Sequence, residues 1–479
     1  MSSLAIDQGT SSTKALVVGE DGSVLATVEV PVHPVALADG GVEQDPEELW
    51  RSVVEAGRQA IAAAGEPVTA VGLANQGETV LAWDRLTDRP LSVALSWQDR
   101  RATDVCDRLA GQAAHLQEIT GLPLDPYFAA PKMTRIRERL TREGVVTTSD
   151  AWLIHRLTGK FVTDTATASR TLLLDLDRTT WSEDALRAFG LEGEARPDIV
   201  PCARLVGETH AFGPTIPLTG LAVDQQAALF AEACHDAGQA KCTFGTGAFL
   251  LANIGPLARR SQSGLVTCVA WQLGDDTTYC LDGQVYTAGA AVSWFEEIGL
   301  IAEPADLDRL GGSVVDADGV TFVPGLAGLA APFWQPNARG AFVGLSLATS
   351  RTQLVRSLID GLAAAVAWLA RAAADDLGRP IERLRVDGGL TRSRTLMQAQ
   401  ADLLQAPIDV YPSPNATALG VAALARIGTG DQAGGLGIAR NWTPVATYEP
   451  AMSADEAEER LARWRAAAEA TIRLGGERA

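Results

Sequence analysis

Residues Leu4–Val18 read LAIDQGTSSTKALVV. Apolar residues of β type open and close the stretch, and between them stand an acid, a glycine and a run of small hydroxyl residues, Asp7-Gln8-Gly9-Thr10-Ser11-Ser12. The local pattern leaves two readings open. Gly and Ser are ordinary turn residues, so the interruption can be a plain hairpin turn. It can equally be a phosphate cradle: Gly9 lets the backbone approach closely, Thr10, Ser11 and Ser12 offer hydroxyls and N–H groups, and Asp7 faces a metal ion.

The flanking chain is of α/β type. Glu20-Asp21-Gly22-Ser23 turns into a third strand, Val24 to Val30. Asp45-Pro46 then predicts a helix start, with Asp as N-cap, Pro at the first helical position and Glu47 and Glu48 in the first turn. Leu49, Trp50, Val53, Val54, Gly57 and Ile61 follow at helical spacing. A buried strand, Val68 to Ala74, ends in Asn75-Gln76-Gly77-Glu78, which puts polar residues where open α/β sheets place ligands. The second half repeats the theme: Lys241 to Phe244 leads into Gly245-Thr246-Gly247, and Ala248 to Ile254 resumes as a strand. Thr349 is expected to cap a long amphipathic helix to Leu377, Leu384 to Val386 to form a strand ending at Asp387-Gly388-Gly389, and Ser393 to Gln405 a further helix. Two similar loops, one per half, predict two related domains facing each other across a nucleotide, divided as 1–233 and 234–479.

Composition narrows the class. A chain of 479 residues, 47% hydrophobic with mixed charges, reads as globular and multidomain. The net charge of −19 argues against nucleic acid or an anionic membrane as partner, because either needs a basic face. No run approaches the length of a membrane span, Gly361 to Ala370 being cut by Arg371, and the start MSSLAID lacks the pattern of a secretion signal. Six cysteines without C-x-x-C or zinc-type spacing predict buried reduced thiols in a cytoplasmic protein. The P-loop, the G-x-G-x-x-G turn, G-x-S-x-G and H-E-x-x-H are all absent, so a bound nucleotide is held by neither a P-loop nor a Rossmann turn.

Read together, the loops form a pattern. Asp7-Gln8-Gly9-Thr10, Ser96-Trp97-Gln98-Asp99-Arg100-Arg101, Thr120-Gly121-Leu122-Pro123-Leu124-Asp125-Pro126-Tyr127-Phe128, Asp224-Gln225-Gln226-Ala227-Ala228-Leu229-Phe230, Phe244-Gly245-Thr246-Gly247 and Val386-Asp387-Gly388-Gly389 follow in order over almost the whole chain. In this the sequence resembles the FGGY carbohydrate kinases, and among them the glycerol kinases. The resemblance implies a two-domain α/β fold of the actin, Hsp70 and sugar-kinase type (ribonuclease H-like), with a nucleotide cleft between the domains. It implies transfer of the γ-phosphate of ATP, with Mg²⁺, to a primary hydroxyl of glycerol or a related small polyol, with a pentulose or tetritol kinase as the alternative. A homodimer or homotetramer is implied as well. Phosphoryl transfer asks for alignment and charge stabilisation more than covalent help, which hydroxyl-rich loops from two domains and a metal-directed acid can supply.

Residue by residue, the resemblance assigns Asp224 as the base that takes the proton from the attacking hydroxyl, with Gln225 beside it. From position alone Asp224 could also be a helix N-cap, since it stands between the apolar stretch Leu218 to Val223 and a helix from about Gln226. Glu78, Trp97, Tyr127 and Phe249 match the family's polyol pocket, a carboxylate for hydroxyls and aromatic faces for C–H. Thr10, Ser11, Ser12, Lys14, Gly245, Thr246, Gly289, Ser293, Gly388, Gly389 and Ser393 match phosphate and adenosine positions, and Asp7 the metal acid. Lys14 stands where the family has arginine, Ser293 where it has glutamine and Ser393 where it has asparagine. Gly77 is the main departure, since glycerol kinases usually carry an arginine there. Its loss predicts a larger, less anchored pocket, filled by a longer polyol or ketose unless another residue supplies the donor. An ATP-binding sensor or scaffold of the same fold is the competing class.

Overall fold

A computed structural model describes residues 2–476. Two mixed sheets dominate it. The first has six strands in the order Ala203–Thr209, Ile216–Val223, Val68–Asn75, Ser2–Gln8, Ser12–Val18 and Val24–Pro31. Ser2–Gln8 pairs antiparallel with Ser12–Val18 but parallel with Val68–Asn75, which is in turn parallel to Ile216–Val223. The second sheet has seven strands and repeats the plan: Ala240–Phe244 pairs antiparallel with Ala248–Gly255 on one side and parallel with Leu384–Asp387 on the other.

Both faces of the first sheet are covered, as a sheet with parallel strands at its centre requires. On one side Leu4, Ile6 and Val17 pack with Leu49 and Val53 of helix Pro46–Ala64. That helix starts as its sequence predicts: the Asp45 side chain accepts from the Glu47 N–H at 3.0 Å, and Pro46 opens the first turn. On the other side Ala5, Leu16 and Val18 pack with Val421 and Ala422 of helix Ala416–Gly428, a late element that crosses back from the second half. Its approach is close: a Cβ on Gly72 would lie 2.5 Å from the Val421 carbonyl oxygen, and one on Gly220 2.5 Å from the Ala425 nitrogen.

Helix Arg351–Leu377 begins one residue later than Thr349 would place it, because Ser350 is the cap and closes a reciprocal capping box with Gln353. By length and composition it could cross a membrane, a possibility the uninterrupted-run criterion misses, but 78% of its most apolar window is buried against the second sheet and helix Ala454–Gly476. The six cysteines are all buried and unbridged.

Candidate active site

The carboxyl ends of the parallel strands set the site. Gln8 and Val223 both lie in register with Asn75, so Gly9, Gln76 and Asp224 leave the first sheet at one edge. In the second sheet Thr243 is in register with Asp387, which brings Gly245 and Gly388 out together. A cavity of about 240 Å³ lies between the two edges. Thr10, Ser11, Gly245 and Thr246 border it, and the predicted acceptor residues Glu78, Trp97, Tyr127, Asp224, Gln225 and Phe249 line it.

Glu78 is aimed by a strained turn. Gly77 has φ +65° and Glu78, unusually for a residue with a side chain, φ +40°; the Gly77 N–H donates to the Asn75 side chain at 2.8 Å. The Glu78 carboxyl is buried, and burial pushes it up to about 7 against the pull of Arg170 and Lys132. Trp97 is fixed by donating its indole N–H to the Thr10 hydroxyl at 2.9 Å, and it meets Tyr127 and Phe249 edge to face. Lys132, from helix Ala129–Arg139, holds the Tyr127 segment from beneath, donating to the carbonyls of Pro126, Tyr127 and Phe128 at 2.9, 2.5 and 2.8 Å. Burial draws its ammonium down to about 7, yet three carbonyl acceptors call for the three N–H of the charged form.

Asp224 is not a cap. It is the first residue of helix Asp224–Ala231, with Val223 in the cap position, and its carboxylate accepts from the Gln225 N–H at 2.6 Å. Burial raises its pKa, while that N–H and the Lys241 ammonium pull it back, so desolvation outweighs the helix terminus. Lys241 donates to Gln225 Oε1 at 2.5 Å and to the Thr243 hydroxyl at 2.7 Å.

Gly77, in contrast, does not border the cavity. A Cβ there would meet Val223 Cγ2 at 2.8 Å, so the position faces a packed side chain and leaves no vacated space. The guanidinium in this cavity comes from elsewhere. Arg170, next to the short helix Thr165–Ala168, donates from Nε to Glu78 at 2.5 Å and from Nη1 to Asp282 at 2.5 Å. No motif marked Arg170, Asp282 or Lys132. The usable signal is a charged residue inside the small-residue and apolar run Ala166-Thr167-Ala168-Ser169-Arg170-Thr171-Leu172-Leu173, where burial demands a partner.

A wider cleft of about 1330 Å³ adjoins the cavity across Gly245 and Thr246. Gly289, Ser293, Gly389 and Ser393 border it. Gly289 opens helix Gly289–Glu297, and a Cβ on it would lie 2.6 Å from the Gly245 carbonyl oxygen, so helix and loop can dock only through glycine. Gly388 has φ +94° and passes so close to Phe244 that a Cβ would sit 2.4 Å from its carbonyl oxygen. Ser393 is committed already: it caps helix Arg394–Leu404 and donates to Asp308 at 2.8 Å. Ser12 is likewise turned aside, donating to Glu29 at 2.6 Å. Asp7 lies behind the first loop, paired across the strands with Lys14. Burial first, then Asp224, Glu29 and Asp387, push its carboxyl up to about 7, while Lys14 pulls it down.

Residues 2–231 match the N-terminal domain of the FGGY family of carbohydrate kinases, and residues 240–429 match its C-terminal domain. The chain belongs to the FGGY family of carbohydrate kinases. It is 40% identical to a glycerol kinase of Bordetella parapertussis, the match covering 97% of this chain and 96% of that one. With a glycerol kinase of Thermus brockianus the identity is 41%, over 97% of each chain. Among solved structures, Plasmodium falciparum glycerol kinase with ADP superposes with a TM-score of 0.90 at 29% identity over 98% of both chains. Xylulose kinase from Rhodospirillum rubrum gives 0.86 at 25% identity over 99% of both. This FGGY kinase therefore has the two-domain, actin-like α/β fold and is an ATP-dependent carbohydrate kinase.

Proposed function

We propose that this kinase phosphorylates a primary hydroxyl of glycerol or a related small polyol, the 240 Å³ cavity holding the acceptor and the 1330 Å³ cleft the adenosine. One observation carries the reading: a buried carboxylate, an aromatic trio and a second, base-competent carboxylate line one cavity that opens on both Gly-Thr loops. In it Asp224 accepts the proton of the attacking hydroxyl. A pKa raised above the ordinary carboxylate range suits a base working near neutral pH. Glu78 accepts from the remaining hydroxyls and Trp97, Tyr127 and Phe249 cover the carbon chain. Gln225, held by Lys241, positions the acceptor beside the base. Thr10, Ser11, Gly245 and Thr246 grip the phosphates. Gly289, Ser293, Gly388 and Gly389 shape the nucleotide side.

A magnesium ion fits the first loop by its donor chemistry. Asp7 is repelled by Asp224 and Asp387, and one Asp387 oxygen is buried without a hydrogen-bond partner among the described residues. That is the pattern of a hard cation held by one or two carboxylates and the substrate phosphates. Asp7 would hold it, and the ion would neutralise charge on the transferring phosphate. We place the interdomain junction at 233/234, in the segment between helix Asp224–Ala231 and strand Ala240–Phe244, and the enzyme in the cytoplasm as a homodimer or homotetramer.

A tetritol or pentulose acceptor is the second reading, favoured by Asp282 in the cavity wall, whose second oxygen is a buried acceptor without a partner among the described residues. Acceptor-dependent ADP release measured over C3 to C6 polyols and ketoses decides between them. If no polyol or ketose raises ADP release above the acceptor-free rate, the proposal fails.

A further inference from the structure

Arg170 is built into the acceptor cavity more firmly than a structural ion pair requires. Its side chain is 4% exposed, and its two carboxylate partners, Glu78 and Asp282, are each 3% exposed. Nη2 reaches the Tyr127 hydroxyl at 3.3 Å, and the guanidinium carbon stands 5.5 Å from the Tyr127 ring centre. Arg170, Glu78, Tyr127 and Asp282 all line the same cavity, where Arg170 is the only cationic side chain among the described residues.

The donor inventory leaves one group over. A guanidinium has one N–H on Nε and two on each Nη. Nε serves Glu78, Nη1 serves Asp282 with Cys268 Sγ at 3.7 Å, and Nη2 serves only Tyr127. One Nη2 hydrogen therefore has no protein acceptor among the described residues, at a cavity that Glu78 and Asp224 also line. A polyol hydroxyl that donates to Glu78 has a lone pair to receive it.

We propose that Arg170 is the specificity-determining donor of the acceptor site, giving its free Nη2 hydrogen to a substrate hydroxyl, and that Asp282 is the positioning residue that fixes its plane. The guanidinium absent at position 77 is thus supplied from a segment 92 residues away from Glu78. This rests on the polyol-kinase reading above. It carries a second consequence for Glu78, which is faced by Arg170, Lys132, Asp224, Tyr127 and Asp282. Arg170 is the largest charge favouring its ionised, acceptor-only form.

Steady-state kinetics of Arg170→Met, Arg170→Lys and Asp282→Asn test it, with the best acceptor of the wild-type panel varied at saturating ATP from pH 5.5 to 9. Arg170→Met should raise the acceptor KM about 10- to 150-fold, as loss of a charged hydrogen bond does, while the KM for ATP stays within about threefold. The acid limb of kcat/KM for the acceptor should move up by about one pH unit in Arg170→Met and clearly less in Arg170→Lys, which keeps the charge. Asp282→Asn should raise the acceptor KM by about 3- to 10-fold with kcat nearly unchanged. If Arg170→Met does not fold, Arg170→Lys and Asp282→Asn carry the test by their KM-against-kcat split. An acceptor KM within about threefold of wild type overturns the proposal, as does a parallel loss toward acceptor and ATP with an unmoved acid limb; the polyol-kinase reading survives both results. A wild-type enzyme that no polyol or ketose stimulates overturns both readings together.

Discussion

The small cavity and the wide cleft share one wall, Gly245-Thr246, and are built from different materials. The cavity is made of side chains: Glu78 and Arg170 are buried charges locked to partners, and Trp97 and Tyr127 are pinned by hydrogen bonds. The cleft relies on backbone at its loops, where glycines at 289 and 388 admit close contacts and Ser393 is an already occupied cap, while Trp294, Glu296, Arg309 and Arg392 also line it. Side-chain chemistry discriminates between ligands that differ by one hydroxyl, because an unmatched buried charge is costly. Backbone N–H groups hold phosphates of any nucleotide alike. With the acceptor placed in the cavity as proposed, selection among acceptors rests on its side chains.

The largest effect is expected at Asp224. Asp224→Asn should lower kcat by about 10²- to 10⁴-fold while leaving the Kd for ATP close to wild type, since only the acceptor side loses a base. Near-normal turnover would take Asp224 out of that role. Gly77→Arg should come next. With φ +65° and Val223 at 2.8 Å from any Cβ, an arginine there strains the turn that aims Glu78. Strain of about 1–3 kcal/mol implies a loss of about 5- to 150-fold in kcat/KM for glycerol and longer acceptors alike. A selective gain toward glycerol would show that the position can still reach the substrate.

Gly289→Ala probes the other side. Its Cβ would press on the Gly245 carbonyl oxygen, so the KM for ATP should rise about 5- to 10-fold, more than the acceptor KM does. An equal rise in both would mean that the shared loop moves as one body. The smallest effect concerns pH and stability without ligands. Glu78 in the folded chain holds its proton to about 7 against an ordinary 4.5, and Asp150, also buried, to about 6 against 3.8. The unfolded chain releases these protons earlier, so their contribution to stability is complete below about 4 and is lost as pH rises through 6 and then 7. Lys132, drawn down to about 7 from 10.5, acts in the opposite sense above pH 7. Tm should therefore fall by a few degrees from pH 5.5 to 7 and then level off. A Tm that climbs steadily across that range in calorimetry contradicts this account.

What was legible in the sequence follows the same division. The strand pairs around both Gly-Thr loops, the Asp45 cap and the cavity residues Glu78, Trp97, Tyr127, Asp224 and Phe249 are set by local pattern or by short ordered motifs, and they stand where those patterns put them. What local pattern does not reveal is of two kinds. Thr349 against Ser350 is a one-residue ambiguity between two hydroxyl caps, settled by the reach of Gln353. Ser12 and Ser393 have the right chemistry, but their hydroxyls are claimed by Glu29 and Asp308, whose proximity no local rule reveals. Arg170 is not legible in the sequence because its meaning lies in partners on two other segments, Glu78 and Asp282, while at Gly77 the space beside the missing side chain is taken by Val223.

Helix Ala416–Gly428, which closes one face of the first sheet, sets a timetable for the protein's birth. Strands Ser2–Gln8, Val68–Asn75 and Ile216–Val223 leave the ribosome long before the helix that covers them. At ordinary translation rates the delay is on the order of tens of seconds. During it Ala5, Leu16 and Val18 lack the helix that covers them in the finished protein. The half that is made first is thus finished among the last, when its own distant helix arrives.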